Sequence, residues 1–251
     1  HYIDLEHYPE VDSLMISWHQ AVRRFTRDTL NARGIVPWHI NRLQYALTNA
    51  FRLKDAREIL RISADLGHYI ADAHVPLHTT ANYDGEQTGQ VGIHAIWESR
   101  LPELFFEEYD LFVGHAVYIA YPLERIWESI REVHKKVDSV FLIEKEVADE
   151  MGRDKIMGFD FRGVKMQVVF NEHFARKYHR RLGGMVERQF RKSVKMTADI
   201  WYSCWVNAGQ PDLSTCNPDG IPDTRWREKY DSLRQADSVI FDSELHILRN
   251  R

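Results

Sequence analysis

Cysteine is scarce in this sequence: Cys204 and Cys216 are its only two. That excludes a disulfide-dense secreted scaffold and leaves a single Cys204–Cys216 bridge open. A dominant charge is missing too. Thirty-three lysines and arginines stand against 37 aspartates and glutamates, for a formal net charge of −4. No broad electrostatic footprint for duplex nucleic acid or an anionic membrane follows from such a balance. A small phosphate-bearing substrate stays open, because a bound metal would be the largest local charge. No run of 18 apolar residues occurs, so no transmembrane segment is expected. The chain opens on HYID without an initiator Met or a signal peptide, and the expectation is a processed product or a fragment. A Ser/His/Asp signature, a Gly-rich phosphate loop and a nucleophile elbow are all absent. The segment from Thr215 to Asp223 misses the spacing of a calcium loop.

What is present is helical patterning. Apolar residues at helical spacing predict a helix from Val11 to Arg33, stopped by Gly34, and a second from Pro37 or Trp38 to about Leu53. A third is expected over Ala56–Ala73, closed by Pro76, and a short fourth over Gly92–Leu104. A long amphipathic fifth covers Pro122–Glu150. VKMQVVF suits a strand or hairpin arm near 155–170. An arginine-rich helix over Asn171–Ala208 follows, with a kink expected at Gly183-Gly184. The tail from about residue 209 is rich in turn signals, with one more helix expected around Arg225–Gln235. The reading is all-α: one multi-helix domain over 1–251 with a short β-hairpin.

Five metal-ligand side chains fall between His68 and Glu98. His68 and Asp72 are four apart, as are His94 and Glu98, and His78 lies between the pairs. Residues four apart share a helix face, so each pair presents an imidazole and a carboxylate together. Nitrogen and oxygen donors of this kind suit zinc. One isolated histidine reads as a surface or core residue; two such pairs and an intervening histidine within 31 residues read as a metal constellation, and a metal-dependent hydrolase leads. His74 sits about 240° around the helix from His68 and is set apart from the cluster. Trp38 and His39 at a helix start read as packing or rim residues. His173 and His179 lack a tight partner at i, i+4, and Arg176, Arg180, Arg181 and Arg188 read as a solvated face.

GHYIADAHVPLH followed by GIHAIWE resembles the signature of the zinc-dependent phospholipase C and single-strand-specific nuclease superfamily. HYID at the start is similar to that family's earlier His-aromatic-Ile-Asp element. The resemblance runs from His1 to about Pro211 and implies an all-α fold with up to three zinc ions at the bottom of a cleft. It implies that His1, His68 and Asp72 hold one zinc and that His78, His94 and Glu98 hold a second, with Asp72 bridging toward the third. Tyr2 and Asp4 match positions near the bound base in the nucleases and are substrate-binding candidates. The family's N-terminal Trp, a nearby His and an upstream Asp, the candidate general base, have no counterpart here. A rival placement puts His1 at the Trp position, with its amine as ligand and His7 as helper. The implied activity is phosphodiester hydrolysis by metal-activated water, phospholipase C-like, on a small phosphodiester or phospholipid. A single-strand nuclease or 3′-nucleotidase, acting on single-stranded nucleic acid, and a non-catalytic zinc-binding protein are the alternatives. A secreted, periplasmic or surface-exposed location goes with the family.

Overall fold

Thr26 breaks what periodicity presents as one helix. In the computed structural model, which describes residues 1–8, 17–162, 165–214 and 216, Thr26 has φ 65°. Helix α1 (Trp18–Phe25) starts at Ser17 in a capping box with Gln20. Thr26 ends it, and the Thr26 hydroxyl then accepts from the Thr29 amide to start α2 (Arg27–Arg33). A β-branched residue at positive φ is strained, and its double use as stop and cap offsets that strain. The expected stretch before residue 17 lies mostly outside the described residues.

Gly34, with φ 92°, ends α2 as expected. A Cβ there would stand 2.0 Å from the Tyr2 carbonyl oxygen, so only glycine admits the N-terminal segment at this point. Helix α3 (Val36–Leu53) carries Pro37 in its first turn, where the missing N–H costs nothing. It ends at the left-handed Lys54, and Asp55 caps α4 (Ala56–Asp72) by accepting from the Glu58 amide. Pro76 lies just beyond, in a 3-10 turn over Pro76–Thr79.

The predicted fourth helix is present with a defect. Short α5 (Ile93–Ala95) widens into a π turn (Ile96–Arg100) before α6 (Leu101–Phe105). Pro102 has no N–H for the carbonyl four residues back, at Glu98, which favours the local widening. The helix expected over 122–150 is two: α7 (Pro122–His134) and α8 (Val137–Met151). Lys136 makes the break by bonding back, its amide to the Val133 carbonyl and its ammonium to that of Glu132.

The hairpin forms as β1 (Met157–Arg162) against β2 (Lys165–Phe170), antiparallel, with Met157 opposite Phe170 and Phe159 opposite Val168. Asn171 caps α9 (Glu172–Arg181). Gly183 and Gly184, both at positive φ, separate it fully from α10 (Met185–Asn207), a break rather than a kink. The helix expected near 225–235 lies outside the described residues.

Two apolar clusters hold these elements. One gathers α3, α4, α7 and α10 around Leu47, Leu66, Ile70, Trp127 and Ile200. The other packs Trp97, Leu101, Val140, Phe174 and Tyr178 between α6, α8, α9 and the hairpin. Each large side chain so enclosed contributes about 1.5–3 kcal/mol. Both described cysteines are free: Cys204 Sγ donates to the Gln44 carbonyl and Cys216 Sγ to that of Lys54. The open bridge is not formed. No helix among the described residues is long and apolar enough to cross a membrane.

Candidate metal centre

The irregular N-terminal segment, residues 1–4, brings His1 to the cluster. Its Ile3 side chain is fully buried, the Ile3 amide donates to the His78 carbonyl at 2.9 Å, and the Asp4 amide donates to that of Arg33 at 2.8 Å. Held between Gly34 and the 3-10 turn over Pro76–Thr79, the segment sets His1 against the last turns of α4. There His1 Nδ1 lies 2.8 Å from Asp72 Oδ2, and His68 Nε2 lies 3.3 Å from the same oxygen. The two ring nitrogens are 3.1 Å apart. Three donors from two distant segments thus converge on one point.

The second group forms across the loop from Thr80 to Gly92. His78 stands on the 3-10 turn, which the Thr79 hydroxyl closes by donating to the Pro76 carbonyl. His94 starts α5, its amide donating to Asp84 Oδ1 at 3.3 Å. Glu98 follows one turn later, within the π turn. His94 Nε2 is 2.5 Å from Glu98 Oε2, and His78 Nε2 is 3.3 Å from it. His78 Nε2 and His94 Nε2 approach to 2.9 Å. Within each group of three, the donor atoms lie within 4.8 Å of one another.

Asp72 joins the groups. Its Oδ2 serves the first, while its Oδ1 comes within 3.4 Å of His78 Nδ1. Only 4% of Asp72 is exposed. The Oδ1 approach is a charge contact without hydrogen-bond geometry, so His78 Nδ1 is a buried polar atom that lacks a hydrogen bond.

The electrostatics follow. Burial alone would raise the Glu98 carboxyl, but hydrogen bonds from His78 and His94, with their charges, hold it well below the usual carboxylate range. Its hydrogen bond to Glu98 raises His94, against the opposing effect of burial.

A bound cation fits this arrangement on grounds of the donors themselves. Two imidazole nitrogens facing each other and sharing one carboxylate oxygen can hold a hydrogen or a metal ion between them. The donor set of imidazole and carboxylate is the one zinc favours. Separations of 2.5–3.3 Å are near those between ligands around an ion with bonds of about 2.0–2.2 Å.

Every predicted ligand, His1, His68, Asp72, His78, His94 and Glu98, belongs to one of the two groups. Tyr2 and Asp4 lie outside both. Tyr2 is 39% exposed, with its hydroxyl donating to the Ala32 carbonyl. Asp4 is buried, and burial, then Glu6, push its carboxyl up against the pull of His7 and Arg33. His7 Nε2 sits 2.9 Å from an Arg33 guanidinium nitrogen, so it ties down the N-terminal segment and joins neither metal group. His74 is buried and bonds the Ile70 carbonyl through Nδ1. His179 stacks on Phe105 and bonds the Tyr109 hydroxyl through Nε2.

Sequence reasoning missed the supports around the ligands. Asp84 anchors the His94 amide, and the Thr79 hydroxyl meets His134 Nδ1 at 3.0 Å. Tyr69 takes the rings of His1, His39 and His68 around it. Burial first, then Arg42 and His1, lower His39 to about 4, so it is a neutral wall beside the first group. Asp84 carried a signal, standing ten residues before a ligand in a turn-rich loop; Tyr69 carried only its place between Gly67-His68 and Asp72.

No family model, curated protein or solved structure matches this chain.

Proposed function

We propose that this chain is a zinc-dependent phosphodiester hydrolase, phospholipase C-like, with the multi-helix fold of the zinc phospholipase C and single-strand nuclease superfamily. The observation that supports this most is the adjacency of two three-donor groups, with the buried carboxylate of Asp72 in the first lying against the outer ring nitrogen of His78 in the second. Neighbouring cations can clamp the attacking and the leaving oxygen of a phosphodiester. His1, His68 and Asp72 would hold one ion, and His78, His94 and Glu98 the other. Zinc in such a site supplies Lewis acidity, bringing the pKa of water toward about 7 and polarising a phosphoryl oxygen.

The chain's residues supply position and charge. Buried Asp72 and half-buried His78 form the floor, while His1 and His68 have side chains 60% and 56% exposed and leave one side open to a diester. Glu98 remains a carboxylate well into acid, as a ligand must. Asp84 fixes the backbone of His94, the kind of outer support that sets ligand orientation. Every donor of the two groups is an imidazole or a carboxylate, and this reading takes water as the nucleophile.

A single-strand nuclease or 3′-nucleotidase is the second reading, favoured by the exposed ring of Tyr2 one residue from His1, where it can stack on a base. Zinc content, followed by turnover of phosphatidylcholine, single-stranded DNA and 3′-nucleotides, tests both. Phosphatidylcholine cleavage that His78→Ala and Glu98→Ala abolish together with zinc uptake is expected. Full activity in either variant overturns the proposal, and zinc bound without turnover of any substrate makes this a non-catalytic zinc-binding protein.

A further inference from the structure

Residues 72–79 form a short unit of backbone held by successive bonds. The Val75 amide donates to the Asp72 carbonyl, the His78 amide to that of Val75, and the Thr79 hydroxyl to that of Pro76. Asp72, in the first metal group, and His78, in the second, therefore sit on one piece of chain. Leu77, fully buried, and Thr79, 1% exposed, root it in the core. The unit also seats His1, because its His78 carbonyl accepts the Ile3 amide at 2.9 Å. A shift of this backbone thus displaces ligands of both groups.

A side chain from another helix pins the end of the unit. His134, the last residue of α7, brings Nδ1 to 3.0 Å from Thr79 Oγ1. The Thr79 hydroxyl has one hydrogen, and the Pro76 carbonyl at 2.7 Å takes it. Oγ1 is left to accept, so His134 Nδ1 carries a hydrogen and donates it. The neutral Nδ1–H tautomer and the imidazolium both have that hydrogen, so the bond does not depend on the ring's charge. His134 itself belongs to neither three-donor group.

We propose that His134 is a positioning residue for both metal groups: through Thr79 it fixes the 72–79 unit, and with it Asp72, His78 and, by way of Ile3, His1. The inference rests on the metal reading above. Contacts that orient a ligand directly are worth about 10–100-fold in metal affinity. His134 acts one residue further out, and about fivefold, the weight of one ordinary hydrogen bond, is expected.

Cobalt(II) titration of the full chain tests it, because the visible bands of bound cobalt report ligand geometry as well as occupancy. The parent is expected to take up cobalt at both groups; a parent that binds none overturns the metal reading and this inference with it. Asparagine carries its amide nitrogen on the same carbon as Nδ1, whereas glutamine carries it one bond further out. His134→Asn is therefore expected to keep the parent's affinity and spectrum. His134→Gln is expected to weaken cobalt binding about fivefold at both groups and to change the band intensities. His134 is only half-buried, so both variants are expected to fold, and thermal unfolding in chelator reads their stability apart from metal. Thr79→Val removes the acceptor and is expected to show the same loss, with no further loss when His134→Gln is added to it. Three results overturn the inference while leaving the metal reading intact: parental affinity and spectrum in His134→Gln, equal losses in the asparagine and glutamine variants, or additive losses in the Thr79→Val background.

Discussion

His78 and His94 turn their Nε2 atoms toward each other at 2.9 Å, with one Glu98 oxygen between them. These donor atoms can share a hydrogen of one neutral imidazole or close together on a metal ion. Added zinc is therefore expected to stabilise the fold by mass action, about 2.7 kcal/mol at a free concentration 100 times the dissociation constant. For a chain of this length that is a rise in Tm of roughly 5–10 °C. A thermal scan with zinc and then with chelator measures it. A Tm indifferent to both shows that a proton, not a metal, fills the gap.

Asp72 touches both groups, through Oδ2 to His1 and His68 and through Oδ1 toward His78. Its loss should cost more metal than the loss of a ligand confined to one group. Asp72→Ala is expected to reduce zinc uptake at both groups, whereas Glu98→Ala reduces it only at the second. Equilibrium dialysis with metal analysis gives the two stoichiometries. Equal losses in the two variants contradict a role for Asp72 in both groups, as ligand in the first and as support for His78 in the second.

Gly34 controls the first group from a distance. Its φ of 92° and the 2.0 Å approach of the Tyr2 oxygen to a would-be Cβ leave no room for alanine. Gly34→Ala is expected to destabilise the fold by about 1–3 kcal/mol, the cost of strained backbone, and to push the N-terminal segment away from Gly34. His1 moves with that segment, so zinc affinity should fall in the first group while His78, His94 and Glu98 keep theirs. Urea unfolding and zinc titration together check it. Undisturbed binding in the first group detaches His1 from the segment's placement.

How much of this was legible depended on sequence distance. The pairs His68 with Asp72 and His94 with Glu98 follow from helical spacing, and the structure places each pair on a common point. His1 lies 71 residues from Asp72, and no spacing rule connects them; only the likeness of HYID to a family element did so. Helix existence was readable, and so was the interruption at Gly183-Gly184; the breaks at Thr26 and Lys136 were not. Thr26 at positive φ defies its own β-branched preference, and Lys136 ends a turn by bonding back to carbonyls that periodicity cannot register. Pro102 was in plain view inside a predicted helix, and the π turn that carries Glu98 is its local consequence. Stacking of His179 on Phe105 and its bond to the Tyr109 hydroxyl bring together residues some 70 apart, which a helical wheel of α9 cannot show.

Glu144 offers a test of the loop that joins His78 to His94. It is buried on α8, and Gln90 of that loop donates to its carboxyl and to the Phe141 carbonyl. Burial raises the Glu144 carboxyl above its ordinary 4.5, and the Gln90 hydrogen bond offsets this only in part. A carboxyl raised on folding binds its proton more tightly in the folded state. Its contribution is full below the unfolded value of 4.5 and is lost as pH rises through the higher folded value. Glu144→Gln keeps an acceptor for Gln90 and removes the charge. The variant is expected to approach the parent's stability well below pH 4.5 and to gain on it as pH rises toward neutrality. Urea midpoints across that range decide the matter: parallel curves for parent and variant would mean that Glu144 ionises without cost and that the loop does not depend on its proton.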